Sequence, residues 1–380
     1  MIEVADRLQE VQEYYFSKKL KEVAQLKAEG KPIINLGIGS PDLPPNPLVV
    51  QAMVYSLNDE KAHQYQSYVG LPKLREAIAQ FYKKHFSVEV NPETETLPLM
   101  GSKEGILHIS MAFLNKGDQV LIPNPGYPTY ASVTKLVEAE AVFYNLNLDN
   151  HWFPDLEALE KQDLSKVKLM WVNYPNMPTG ANATKDQLEK LVQFALKHDI
   201  LLVNDNPYSF ILNENKISLL SIEGSKDCCL ELNSLSKTFN LSGWRVGFVL
   251  GKASFIDAIL RVKSNMDSGM FYGIQKGAIA ALSAPTDWLE VLNEIYKKRR
   301  ELVWQIANKL NCSYTKESSG LFVWAKLPEG KTSEAFTDDL LYNKSVFITP
   351  GTVFGSQGEG YVRFSLCANE TDLQETLNRL

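Results

Sequence analysis

The chain has 380 residues, 44% of them hydrophobic, enough to bury a large core and to build about two domains. A formal net charge of −6 argues against a nucleic-acid or polybasic membrane partner. Four cysteines without framework spacing and five scattered histidines predict reduced thiols and no metal site.

The opening MIEVADRLQE is acidic and amphipathic, unlike a secretory signal or a basic transit peptide, so a cytoplasmic protein is expected. Residues 3–30 read as helix closed by Gly30, and the turn-rich IINLGIGSPDLPPNP follows. Short apolar strands then alternate with helices. TLPLM (96–100) leads to a helix from Ser102, QVLIP (119–123) to one near Tyr127, and KLMWVN (168–173) to one near Thr184. ILLVNDN (200–206), CCLELNS (228–234) and VGFVLG (246–251) complete the set. Strands without polar alternation predict an α/β fold with a parallel sheet covered on both faces. The last hundred residues read as a smaller α+β unit. It comprises a charged helix (286–311), the strand GLFVWAKL, a helix over 333–342, and the strands VFITP and YVRFSL. The expected division is a large domain over 46–275 and a small one made of 1–45 and 276–380. No apolar run is long enough to cross a bilayer.

Ligands of open α/β sheets bind beyond the carboxyl ends of the strands. The polar clusters lie there: Gly101 to Lys103, Asn124 to Tyr127, Asn173 to Gly180, Asp205 to Tyr208, and Ser234 to Lys237. Five strand ends are thus predicted to converge on one crevice. The most informative stretch is NSLSKTFNLSGWRVG (233–247). A lysine after a buried strand, partly desolvated, becomes a neutral amine able to attack a carbonyl, while Ser234, Ser236 and Arg245 could hold an anion such as phosphate. On SLSK alone, a solvated lysine at a strand end remains open. The S-x-x-K reading of serine β-lactamases fails: the chain has Lys331-Thr332-Ser333 instead of KTG, and its YxN (174–176) lies upstream.

Gly101-Ser102-Lys103 opens a helix, whose backbone N–H groups and dipole favour an anion, or are simply capped. Asp205 at the base of a crevice is costly unless paired, and a turn or salt bridge could also pair it. Tyr208 follows three residues on. Arg363 within a strand suits a carboxylate with its planar fork, or a cross-strand ion pair. Gly37-Ile38-Gly39 lacks the third glycine of a dinucleotide fingerprint, where Asp42 stands, and no P-loop is present.

In their order, NLGIGSPDLP, YQSYVGLPKLREAIA, GSKEG, PNPGYPTY, YPNMPTG, NDNPYS, SLSKTFNLSGWRVGF and YVRFSL resemble the class I/II pyridoxal-phosphate-dependent aminotransferases, from about Leu8 to the C-terminus. The aspartate and diaminopimelate aminotransferase-like branches are closest in pattern. The resemblance implies fold type I, with a mostly parallel seven-stranded sheet in the large domain, and pyridoxal 5′-phosphate as cofactor. It implies amino-group transfer from an amino acid to a 2-oxo acid by a ping-pong route. Lys237 would hold the cofactor as a Schiff base and then shuttle the proton. Asp205 would pair with the ring nitrogen, Tyr208 with the ring oxygen, and Tyr127 would stack on the ring. Ser102, Lys103 (through backbone amides), Ser234 and Arg245 would hold the phosphate. Tyr65 would reach the phosphate in the neighbouring subunit, which implies a homodimer with shared active sites. Arg363 would bind the substrate carboxylate, with the backbone at Gly39 closing over it. The family's asparagine before Pro-Thr-Gly is Met177 here, and Asn176, one place earlier, is the candidate to replace it.

A C–S β-lyase resembles these enzymes in the same motifs and is the alternative. Regulators of the family carry an additional N-terminal DNA-binding domain, for which a match starting near residue 8 leaves no room.

Overall fold

The computed structural model describes residues 2–9, 11 and 15–380. The first strand, β1 (Ile34–Asn35), has two residues. Seven strands then build the main sheet: β2 (Thr96–Leu99), β3 (Gln119–Asn124), β4 (Glu140–Asn145), β5 (Val167–Val172), β6 (Leu201–Asp205), β7 (Cys229–Ser234) and β8 (Gly247–Gly251). Their order is β2-β8-β7-β6-β5-β3-β4. Only β8 runs against its neighbours, β2 and β7, within this sheet. Strands β2, β6, β7 and β8 are buried at every position, as helices on both faces require. Edge strand β4 buries only Tyr144, which explains why EAVFYN carries no run of buried apolar residues.

A second sheet, ordered β12-β13-β10-β9, is antiparallel: β9 (Ser313–Tyr314), β10 (Phe322–Lys326), β12 (Thr349–Pro350) and β13 (Tyr361–Ser365). The expected single strand VFITP is two. Strand β11 (Val346–Phe347) pairs parallel with β1, and β12 pairs with β13, so the chain changes partner at Ile348. The expected helix over 3–30 is also shorter. A 3-10 turn spans Asp6–Leu8 and a helix spans Tyr15–Ala28; residues 1, 10 and 12–14 lie outside the described set. The turn buries no side chain, and without packing so short a segment cannot hold a helix. Val23 and Leu26 of the helix pack with Ile33, Leu341 and Phe347, which fastens the N-terminal segment to the C-terminal unit.

Arg299, on the long helix Asp287–Lys309, ties three distant segments. Its guanidinium donates to Asp42 at 2.7 and 3.0 Å, to Glu370 at 3.0 Å and to the Leu366 carbonyl at 3.1 Å. The arginine side chain is buried, whereas both carboxylates are partly solvated, so screening reduces each pair. Arg299→Met is expected to cost on the order of 2 kcal/mol, because the Asp42 carboxylate and the Leu366 carbonyl lose their donor. Denaturant unfolding checks this.

Candidate active site

A cleft of about 380 Å³ opens at the carboxyl ends of β2, β5, β6 and β7. Because β8 is antiparallel, its N-terminal end reaches the same rim and delivers Arg245 beside Ser102. Gly247 sits between Leu99 and Ser234 in the register, where a Cβ would stand 2.6 Å from the Ser102 amide. Gly101 has φ +92°, and a Cβ there would meet the Arg245 guanidinium at 2.3 Å. Two glycines therefore let an arginine, a helix N-terminus (Ser102–Phe113) and a strand end crowd together. Ser234 caps the short helix Leu235–Thr238, accepting from the Ser236 amide at 3.1 Å and donating to the Val246 carbonyl at 3.3 Å. Ser102, Ser234, Ser236, Ser242 and Arg245 all line this end, a set of donors suited to an anion.

Lys237, on that short helix, donates from Nζ to the Gly39 carbonyl at 2.6 Å. Burial lowers its pKa, Arg363 and Arg245 act in the same sense, and Asp205 opposes them. Lys103, also on the cleft wall, is lowered by burial and by Arg245.

Asp205 ends β6 and is 5% exposed. Tyr130 donates to its Oδ2 at 2.9 Å, whereas Oδ1 is buried without a hydrogen-bond partner among the described residues. Burial pushes this carboxyl up to about 7, against the pull of Tyr130 and Lys237. Tyr130 is held by stacking on Trp171, 4.9 Å between centroids and 6° between planes. Asn173 lines the cleft, its amide donating to the Asp205 carbonyl and its Oδ1 accepting from the Met177 amide at 2.7 Å. Tyr127 and Tyr208 are further walls, and the Tyr208 ring meets Phe322 edge-on.

Arg363, on β13, enters from the second sheet. Its guanidinium lies 3.9 Å from the Phe322 ring centre and 4.7 Å from that of Phe354, and donates to the Gly37 carbonyl at 2.8 Å. Gly39 packs so closely that a Cβ would stand 2.3 Å from the Phe322 ring.

Of the residues expected at the site, Lys237, Asp205, Tyr208, Tyr127, Ser102, Lys103, Ser234, Arg245, Gly39 and Arg363 line this one cleft. Asn176 does not. Its Oδ1 accepts from Thr179 Oγ1 at 2.7 Å and from the Thr179 amide at 3.3 Å, so closing its own turn takes precedence over reaching the cleft. Met177 occupies the wall instead, its sulfur 3.4 Å from Arg363 Nη1. Tyr65 is 91% exposed and lies outside the cleft. The sequence assigns no role to Tyr130 or to Asn173, although Asn173 opens one of the polar clusters expected at the crevice. Tyr130 lies in the first turn of the helix Thr129–Leu136, three residues after Tyr127, and PNPGYPTY assigns a role to Tyr127 alone. Glu104, His108 and Asp267 also come together, yet Lys263 Nζ at 2.8 Å from Asp267 already supplies positive charge there, so the cluster carries no metal assignment.

A family model described as aminotransferase class I and II matches residues 31–380. The chain belongs to that family. It is accordingly an enzyme that transfers an amino group from an amino acid to a 2-oxo acid. It is 39% identical to the LL-diaminopimelate aminotransferase of Dehalococcoides mccartyi (strain 195), over 100% of this chain and 98% of that one. An enzyme of the same name from Halothermothrix orenii is also 39% identical, with the same coverage. Among solved structures, substrate-bound BacF from Bacillus subtilis superimposes with a TM-score of 0.96 at 37% identity, covering 100% and 97% of the two chains. Aspartate aminotransferase from Thermus thermophilus with maleate gives 0.93 at 27%, covering 100% and 99%. The mostly parallel seven-stranded sheet is that of the fold type I aminotransferases.

The buried carboxyl makes stability depend on pH in a defined sense. An unfolded Asp titrates near 4 and the folded Asp205 near 7, so the folded chain binds that proton more tightly and loses stability as pH rises between the two. In protein prepared without cofactor, Asp205→Asn should gain on wild type across this window, by up to about 4 kcal/mol, and the gain should level off above it. Unfolding curves at pH 5 and pH 8 measure the difference.

Proposed function

We propose that the protein is a pyridoxal-phosphate-dependent aminotransferase working by a ping-pong route, with Lys237 as the cofactor-linked amine and base. The observation that carries this is the unpartnered, buried Asp205 Oδ1 in the same cleft as a desolvated lysine. A carboxylate so placed is costly alone and favourable beside a protonated ring nitrogen. The donor set fits the rest of the cofactor. Arg245, Ser102, Ser234 and the helix N-terminus suit the phosphate, Tyr127 the ring face and Tyr208 the ring oxygen.

When bound, the cofactor supplies an aldehyde that condenses with amines and an electron-withdrawing ring that stabilises negative charge at the amino-acid Cα. The protein's groups do the rest. Asp205 Oδ1 keeps the proton on the ring nitrogen, and Tyr130 and Asn173 keep Asp205 in place. Arg363 pairs with the substrate carboxylate, its plane set by the two phenylalanine rings. Lys237 Nζ, with its pKa lowered, is available as the neutral amine that takes the Cα proton and returns it. Phe322, Phe354 and the Gly37–Ser40 segment cover the site and exclude water.

Once these charges are assigned, Leu20, Ile38, Met177, Phe322 and Phe354 form an apolar stretch of wall, and Lys103 with Ser40 and Ser242 belongs to the polar remainder. A distal carboxylate or ammonium laid along that stretch would be desolvated against apolar groups. This supports an amino donor with an apolar side chain. The names of the 39% identical relatives favour a second reading, LL-diaminopimelate as donor.

We also propose a homodimer. Segments 47–68 and 263–272 touch each other, through Lys263 to the Tyr68 carbonyl and Tyr272 to Asp59, and they expose Leu48, Val54, Tyr55, Tyr65 and Met266. An apolar surface of that kind suits a second copy, to whose cleft Tyr65 would point.

Single half-reactions with a panel of amino donors test the reading. Leucine, methionine and phenylalanine should convert the holoenzyme's visible band to the amine form, at least tenfold more efficiently than aspartate or LL-diaminopimelate, and Lys237→Ala should abolish the conversion. Pyruvate and ammonia released from cystathionine at a comparable rate would indicate a C–S lyase instead. Preference for LL-diaminopimelate would support the second reading.

A further inference from the structure

On the face of the sheet turned away from Asp205 lies a carboxylate that the chemistry above does not use. Glu231, in the middle of β7, is fully buried. Its Oε1 accepts from Tyr82 Oη at 2.9 Å and Asn206 Nδ2 at 3.2 Å. Its Oε2 accepts from the Leu219 amide at 2.8 Å and Asn204 Nδ2 at 3.4 Å. Asn204 and Asp205 are consecutive in β6, so their side chains leave on opposite faces, and Glu231 shares the face of Asn204. Burial raises the carboxyl's pKa and the hydrogen bonds oppose that rise. Four converging donors match an ionised carboxylate, which only accepts.

These donors are the roots of turns that reach the cleft. Asn206 gives its amide to Glu231 and accepts from Ser209 Oγ at 2.5 Å, closing the four-residue turn that contains Tyr208. Asn204 accepts from the Tyr174 amide at 2.9 Å, where the turn carrying Met177 begins. Tyr82 accepts from Asn233 Nδ2 at 2.9 Å, and Asn233 Oδ1 takes the Ser234 amide at 2.7 Å. One buried charge thereby anchors three strand ends.

We propose that Glu231 is a positioning residue for the cofactor, acting through Asn206 and Ser209 to fix the orientation in which Tyr208 presents its hydroxyl to the ring oxygen. This rests on the cofactor reading given above. A carboxylate that only held the fold together would affect stability and leave the influence of Tyr208 on the cofactor intact.

The test is the pH titration of visible absorbance in the holoenzyme reconstituted with pyridoxal 5′-phosphate. It compares wild type, Tyr208→Phe, Glu231→Gln, Ser209→Ala, and Tyr208→Phe combined with each of the other two. Glu231→Gln keeps the size but turns an NH₂ toward donors. Tyr208→Phe should move the midpoint by about half a pH unit or more. Glu231→Gln should move it in the same direction and Ser209→Ala less far. Neither should add to Tyr208→Phe, because all act through one hydroxyl. Additive shifts, or a wild-type midpoint in a Glu231→Gln protein with a lowered melting temperature, overturn the proposal. If Glu231→Gln does not fold, Ser209→Ala decides: an unchanged midpoint overturns the proposal, and a shift lost in the Tyr208→Phe background supports it. Wild-type protein that takes up no cofactor and shows no visible band would refute the cofactor reading itself, which separates the two failures.

Discussion

The structure is organised around one desolvated negative charge. Asp205 stands at the end of a wholly buried strand with one oxygen satisfied by Tyr130 and the other bare. Such a group is expensive in isolation and persists where a positive partner is expected. The poles of the cleft follow from it. Arg245 and a helix N-terminus gather at one side, Arg363 descends from the second sheet on another, and Lys237 lies among them with its proton loosened by burial and by its cationic neighbours. A flat ligand with a cationic ring nitrogen, a phosphate and an amine-reactive carbon, taking substrates with a carboxylate, meets each pole with its opposite. Only an α/β sheet with an inverted strand puts Arg245 and Ser234 on the same rim, because β8 enters where its neighbours leave.

Much of this is legible in the sequence. Continuous apolar strands punctuated by glycine and polar residues announce a covered parallel sheet, and the punctuation is the site. Asp205, Ser234, Lys237 and Arg245 stand at strand ends in the sequence, and the structure places all four in one cleft. Residues that act through packing were harder to see. Tyr130 carries no signal of its own in PNPGYPTY, and only the fold shows it stacked on Trp171 and hydrogen-bonded to Asp205. Asn173 and Asn176 sit three residues apart in one turn. Which of them faces the cleft is decided by the Asn176–Thr179 hydrogen bond, a local preference that a family pattern does not encode. The division of VFITP depends on tertiary pairing, β11 with the distant β1 and β12 with β13, which periodicity cannot report.

The fold alone does not name the substrate. An aspartate aminotransferase at 27% identity superimposes almost as well as BacF at 37%. Discrimination therefore falls to a few wall residues over a constant core. In this chain those walls include Leu20, from the helix fastened to the C-terminal unit, and Met177.

The central claim is that Asp205 carries the negative charge that keeps a proton on the cofactor's ring nitrogen. The direct measurement is nitrogen-15 NMR of the holoenzyme loaded with ring-labelled pyridoxal 5′-phosphate. The account predicts a protonated ring nitrogen in wild type across neutral and mildly alkaline pH, and loss of that proton in Asp205→Asn. An unprotonated nitrogen in the wild-type enzyme at neutral pH would contradict it.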